Sequence, residues 1–350
     1  MKSSSFPTPA ATADAPSRDA RSLAALVGFG FALFVVVALV AIASGQYPLT
    51  PAQVARGLWH GVAGGGAPAL ADEVLWQIRL PRIALASLVG VALGAAGAAF
   101  QHLFRNPLVA PDTLGVSSGA ALGAVLAIFA GAGAFTTGVT AFAAGIAAVL
   151  LVTLLAARIR AHDRTLTLVL IGVVVASLCG AAISLVKFVA DPYNQLPAIT
   201  FWLMGSLAAA SWPQVASVAP VIVVGLAVLA AMSWRVNLLA LPEDEARALG
   251  ANVARLRATV IGAATLATAA SVAVCGIVGW VGLVVPHMAR LVAGPEFSRL
   301  LPVAALFGAI FMLAIDTLAR TVTPIDLPPG VLTAFVGTPL FLVLLARRST

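Results

Sequence analysis

Several stretches of this chain are too long and too apolar to serve as one face of a soluble helix. Leu23–Ala43 carries no charge along its length, and about 20 apolar residues suffice to cross the hydrocarbon of a bilayer. Comparable runs recur along the rest of the sequence. In all, 61% of residues are hydrophobic and 9% charged, against about 25% charged in soluble domains. In lipid the backbone must satisfy its own hydrogen bonds, which leaves helix bundles or closed barrels. The runs are continuous and lack the ten-residue alternation of barrel strands. The expected fold is an all-α polytopic membrane protein.

Reading the apolar runs against Gly, Pro and charged residues predicts about ten transmembrane helices. They lie near residues 23–43, 83–103, 113–131, 137–157, 166–190, 214–233, 258–277, 279–293, 300–319 and 329–346. The third and eighth are short and Gly-rich or Pro-broken, a pattern that suits two packed inverted-type halves. With the N-terminus inside, only Arg56, Arg79, Arg82, Lys187 and Arg320 of the 20 Lys and Arg fall outside. The positive-inside rule then places both termini in the cytoplasm. Residues 1–22, rich in Ser, Ala, Pro and Thr, read as a disordered cytoplasmic tail, 23–346 as the membrane domain and 347–350 as a second short tail. Arg18 and Arg21 precede a run longer than a signal-peptide core, so the first span is expected to be retained. Cys179 and Cys275 lie in apolar runs and suggest buried small hydrophobes rather than a disulfide.

Two connections carry information. The outer segment 46–76 holds an amphipathic stretch over Pro51–Trp59 and a Gly64-Gly65-Gly66 run. The inner segment 235–257 is the one sizeable charged connection on its side. Its core, Leu241-Pro242-Glu243-Asp244-Glu245-Ala246-Arg247-Ala248-Leu249-Gly250, predicts a short helix: Pro242 opens it, acids fill its first turn and Gly250 ends it. A capped helix at the membrane surface is a feature that a mechanical partner can grip.

Several chemistries find little support. The net charge of +7 comes from basic residues scattered between spans, not clustered on a soluble face as nucleic acid requires. Neither Lys2 nor Lys187 follows the Gly-rich loop that holds nucleotide phosphates, so ATP hydrolysis would need another chain. Gly115-Val116-Ser117-Ser118-Gly119 matches the G-x-S-x-G string, but that motif needs a strand-turn-helix elbow and a nearby His. In an apolar segment it reads better as small-residue helix packing. His60, His102, His162 and His287 show no metal-ligand spacing. Asp316 is the acid inside an apolar run, and Arg320 four residues on predicts a structural ion pair over a proton relay. Lys187 and Asp191 predict a second such pair.

Taken together, Arg79-Leu80-Pro81-Arg82, Gln101, Phe104-Arg105-Asn106-Pro107-Leu108 and Pro111-Asp112-Thr113-Leu114 leading into Gly115–Gly119 form an ordered series. Gly279-Trp280-Val281-Gly282-Leu283-Val284-Val285-Pro286-His287 with Arg290, Leu300-Leu301-Pro302, Asp316 with Arg320, Leu327-Pro328-Pro329-Gly330-Val331 and Gly337-Thr338-Pro339 continue it. Over roughly residues 75–346 the order and spacing strongly resemble the FecCD family of bacterial ABC permeases, importers of ferric siderophores, haem, cobalamin and molybdate. The resemblance implies a multi-pass subunit of the inner membrane, not itself an enzyme and holding no cofactor. It implies a homodimer, or a heterodimer with a close paralogue. Two ABC ATPase subunits would bind ATP and Mg inside, and a periplasmic or extracellular substrate-binding protein would dock outside. By residue, Arg79, Arg82 and Arg320 match arginines that meet acidic groups of the binding protein. Leu241–Gly250 matches the coupling helix, and Thr165 and Leu166 match the cytoplasmic gate. The cobalamin branch has small polar residues at both gate positions, from which Leu166 departs. An iron complex, siderophore or haem, is the expected cargo because most of the family handles one. Cobalamin or molybdate import, or an ion-coupled transporter using Asp316, are the alternatives.

Overall fold

The computed structural model describes residues 15–63, 70–159 and 163–346, and every regular element in them is helical. In chain order these are α1 (Ala15–Ala43), α2 (Pro51–Ala63), α3 (Leu70–Glu73), α4 (Leu80–Leu103), α5 (Val116–Phe129), α6 (Ala134–Arg158), α7 (Arg164–Val189), α8 (Gln195–Met204), α9 (Trp212–Ala231) and α10 (Ser233–Val236). They continue with α11 (Glu243–Ala248), α12 (Val253–Cys275), α13 (Val281–Ala293), α14 (Phe297–Ala319) and α15 (Pro329–Ala346). Each expected run is helical. Seven among the described residues are long and apolar enough to cross a bilayer; α5, α13 and α15 are shorter apolar helices.

Differences from the expected spans have local causes. α1 starts at Ala15, with Pro16 in its first turn, where a missing N–H costs nothing. Ala15–Ser22, expected as disordered tail, is therefore helical; residues 1–14, the Gly64–Gly66 run and residues 347–350 lie outside the described residues. α3 and α4 are joined by a π-helical turn, Val74–Arg79, into one helix from Leu70 to Leu103. Pro81 has no N–H for the carbonyl four residues back, and the wider turn absorbs the mismatch. The Lys187–Asp191 pair does not form, because α7 ends at Val189. Asp191 precedes a proline, which disfavours helix, and its Oδ2 instead accepts from the Asn194 N–H at 2.7 Å. α8 was not anticipated.

Small residues set the packing. Of the most apolar 18 residues of each helix, 78% are buried in the one containing α4 and 67% in α12, against 17% in α1 and in α7, so α4 and α12 form the centre. α4 packs most extensively on α14. A Cβ on Gly90 would overlap the Gly308 carbonyl oxygen, and one on Gly94 the Ala304 carbonyl oxygen. This is the close backbone approach that small residues spaced by four allow in membranes. Gly119 and Gly123 let α5 approach Ala144 and Thr140 of α6 in the same way. The G-x-S-x-G string thus builds a helix start and a packing face, and the Ser117 hydroxyl donates to Asp112.

Candidate functional site

α14 runs between the two ends of the molecule where the predicted docking and coupling residues lie. Its 23 residues rise roughly 35 Å. At its start, Asn237 from the inner connection accepts from the Phe297 N–H at 2.7 Å. At its finish stand Asp316 and Arg320, on the side that the charge count assigns to the outside.

The outer end is a buried ionic cluster. Arg82 Nε donates to both oxygens of Asp316, at 2.9 and 3.2 Å. Its Nη1 reaches Asp326 Oδ2 at 2.6 Å. Arg320 Nε lies 3.6 Å from Asp316 Oδ2, one turn along the same helix. The expected Asp316–Arg320 pair therefore exists, but Arg82 from α4 is the closer partner, and Asp326 was missed. The remaining donors cap α1. Arg320 donates to the carbonyls of Ser44, at 2.7 Å, and Ala41. Arg79 donates to those of Ile42 and Tyr47. A helix leaves its last carbonyls without intrahelical donors, and two guanidinium groups supply them here. Gly45, at φ 149°, makes this possible: a Cβ there would lie 2.9 Å from Arg79 Nη2 and 3.3 Å from Arg320 Nη1. Arg79, Arg82 and Arg320 are 4, 8 and 7% exposed and Asp316 is fully buried. The three arginines predicted for docking are thus brought together, but each is engaged inwards.

The opposite end carries the predicted short helix. α11 spans Glu243–Ala248, with Pro242 as its N-cap and Gly250 at φ 82° after its end. Ala246 alone among the ten predicted positions is buried, seated with Val236, Leu239, Val253 and Leu256. Glu243 accepts from Arg247 Nη2 at 2.5 Å and lies 3.9 Å from Arg257. Asp244, Glu245, Ala248 and Leu249 face outwards. The helix is held by one small side chain and one ionic strut, leaving its far face free. Thr165 and Leu166 open α7, where Asp163 Oδ1 caps both N–H groups at 2.8 and 3.0 Å. Leu166 is exposed and Thr165 half-buried.

Between the two ends lies an apolar face. A cavity of about 770 Å³ is lined by Met204, Ile277, Trp280, Val331 and Phe335, among others, with no charged group. A second, of about 550 Å³, shares Met204 and extends to Ile325 and Asp326 beside the ionic cluster. Three chain breaks meet there: the end of α8, the segment between α12 and α13, and the start of α15. A Cβ on Gly330 would strike the Met204 and Ile277 carbonyl oxygens at 2.5 Å. Non-helical backbone at membrane depth persists where protein buries it or a cavity adjoins it.

The chain that carries this arrangement, an ionic cluster at one end, a short capped helix at the other and an apolar face between, has relatives among known proteins. The chain is 38% identical to the molybdate import system permease protein MolB of Haemophilus influenzae, over 91% of this chain and 95% of that protein. It is 42% identical to the cobalamin import system permease protein BtuC of Halobacterium salinarum, over 81% of this chain and 76% of that protein. A solved metal-chelate type ABC transporter in an inward-facing conformation superposes with a TM-score of 0.84 at 36% identity, covering 92% of this chain and 98% of that one. Residues 33–347 match the FecCD transport family. The chain belongs to the FecCD transport family and is a multi-pass ABC permease.

Proposed function

We propose that this chain is the membrane-spanning half of a binding-protein-dependent importer of the inner membrane, carrying an iron complex, a ferric siderophore or haem, into the cytoplasm. The observation that carries the importer reading is α11: a capped helix with an exposed far face, at the end of α14 opposite the arginine cluster. Such a helix transmits the movement of a partner. Two ATPases gripping α11 in each half of a dimer bias the helices between outward- and inward-open packings. A second copy of this chain, or a close paralogue, completes the passage against the apolar face. Both termini then lie in the cytoplasm, and Thr165 and Leu166 guard the inner mouth.

Outside, acidic groups of a binding protein meet Arg79, Arg82 and Arg320. Docking exchanges the internal acceptors of these arginines for external carboxylates, and complementary charge speeds and orients the encounter. The apolar lining supports a bulky chelate, which crosses by weak contacts while capture affinity resides in the binding protein. The relatives named for molybdate and cobalamin define the competing cargoes.

Affinity purification of the chain in mild detergent, followed by mass spectrometry, tests the assembly: a stoichiometric ABC ATPase is expected. Its absence under conditions that preserve a known ABC importer overturns the reading. Uptake assays with ferric siderophore, haemin, cobalamin and molybdate then decide the cargo; sole uptake of molybdate or cobalamin refutes the iron assignment.

A further inference from the structure

A third cavity, of about 520 Å³, lies beside the end of the coupling segment, where Leu249 and Gly250 join α9, α10 and the start of α12 in lining it. Its walls divide by chemistry. Arg235, Arg255, Asn252 and Thr259 supply a polar side, and Met232, Leu238 and Leu256 an apolar one. No acidic side chain lines it, and among the described residues neither Arg235 nor Arg255 is in an ion pair. None of the acids of α11 lines it, and Glu243 is held by Arg247 and Arg257. Trp234, also on the wall, is 73% exposed. It follows directly on the end of the α9 span at Ala231, at the depth where indole rings collect at a membrane surface.

We propose that this cavity binds the phosphate of an anionic phospholipid from the leaflet on the α11 side, with Arg235 and Arg255 as its ligands. A phosphate accepts from both guanidinium groups in planar, charge-assisted hydrogen bonds. The apolar wall along Met232 and Leu256 receives the upper part of an acyl chain, and Trp234 packs at the glycerol level. Lipid fits better than an acidic protein segment because half the wall is apolar and the site opens where two spans end. Basic pockets between spans on the cytoplasmic side are known lipid-headgroup sites in general. The inference depends on the membrane orientation from the charge count and not on the cargo. An occupied site ties α9 to the base of the coupling segment, so lipid composition would tune how firmly α11 is held.

The purified full chain in neutral detergent can be titrated with phosphatidylglycerol, phosphatidylcholine or inorganic phosphate and read by native mass spectrometry. Phosphatidylglycerol is expected to bind in preference to phosphatidylcholine. Arg235→Ala with Arg255→Ala should weaken it about 30-fold, the loss expected for two arginines beside an anionic surface. Equal phosphatidylglycerol binding by wild type and the double variant overturns the proposal. Saturation by inorganic phosphate alone overturns the lipid assignment, as does a double variant that loses only ATPase association. Should the double variant fail to fold, brominated phosphatidylglycerol is expected to quench wild-type fluorescence, with the quenching reduced in Trp234→Phe. Identical quenching in the two proteins refutes the site.

Discussion

Asp316 sits in a setting where a lone carboxylate could not persist. It is fully buried on α14, and its charge is met by Arg82 at 2.9 Å and Arg320 at 3.6 Å. Removing one member of such a cluster leaves the others buried and uncompensated, which costs about 3–5 kcal/mol. Asp316→Asn is therefore expected to lower the melting temperature in detergent sharply. Asp326→Asn should lower it less, because the Asp326 side chain is 30% exposed and water can replace it. The reverse ranking would mean that Asp326 is the structural anchor. Sequence spacing gave half of this site. An i, i+4 pair on one helix is legible as a local pattern, so Asp316 with Arg320 could be read directly. The closer bond spans 234 residues from Arg82, and the α1 carbonyls capped by Arg79 and Arg320 are backbone atoms with no sequence signature. Arginines that look like free surface charges in a sequence are therefore, in this fold, internal ties.

At the scale of elements, spans were legible and their joints were not. Apolar runs locate α1, α4 and α6 because lipid selects length and hydropathy directly. The π turn at Val74–Arg79 answers to a local demand, the accommodation of Pro81, and the ten-residue α8 to a tertiary one, the packing of Ile199 against Val125 and Ala190. Glycines separate the two kinds of constraint. Gly90→Ala and Gly308→Ala would each push a methyl into backbone across the α4–α14 contact, costing about 1–3 kcal/mol as overpacking. Gly262→Ala, in helical α12 with open space at its Cβ, should be neutral or stabilising. Melting curves of the three variants check this; equal losses would show that helix propensity, and not close approach, places these glycines. α11 supplies a functional counterpart. Ala248 is exposed on its far face, so Ala248→Arg should change stability by no more than about 0.5 kcal/mol while weakening ATPase association. Undiminished association and transport would remove α11 from the coupling path.

For the molecule as a whole, the choice lies between an engine supplied by partners and one carried within. An ion-coupled transporter needs a carboxylate that gains and loses its proton as the passage alternates, and a charge kept at membrane depth is ordinarily kept for function. Asp316 is the acid in the right kind of segment, yet it is held by two arginines at one end of α14, outside the lining of the apolar cavity. Both of its oxygens are engaged by fixed cations, and neither faces that cavity. α11, in contrast, is exposed, lightly tethered and at the far end of the same helix. Reconstituted alone into liposomes with an imposed proton gradient, the chain should therefore give no uptake of any of the four candidate cargoes. Adding the ATPase, the binding protein and ATP should start uptake without a gradient. In the complete system, a version carrying Asp316→Asn that still assembles should keep its dependence on ATP and show no new response to the gradient. Gradient-driven uptake by the chain alone, abolished in Asp316→Asn, would reverse the assignment and make the buried cluster the engine.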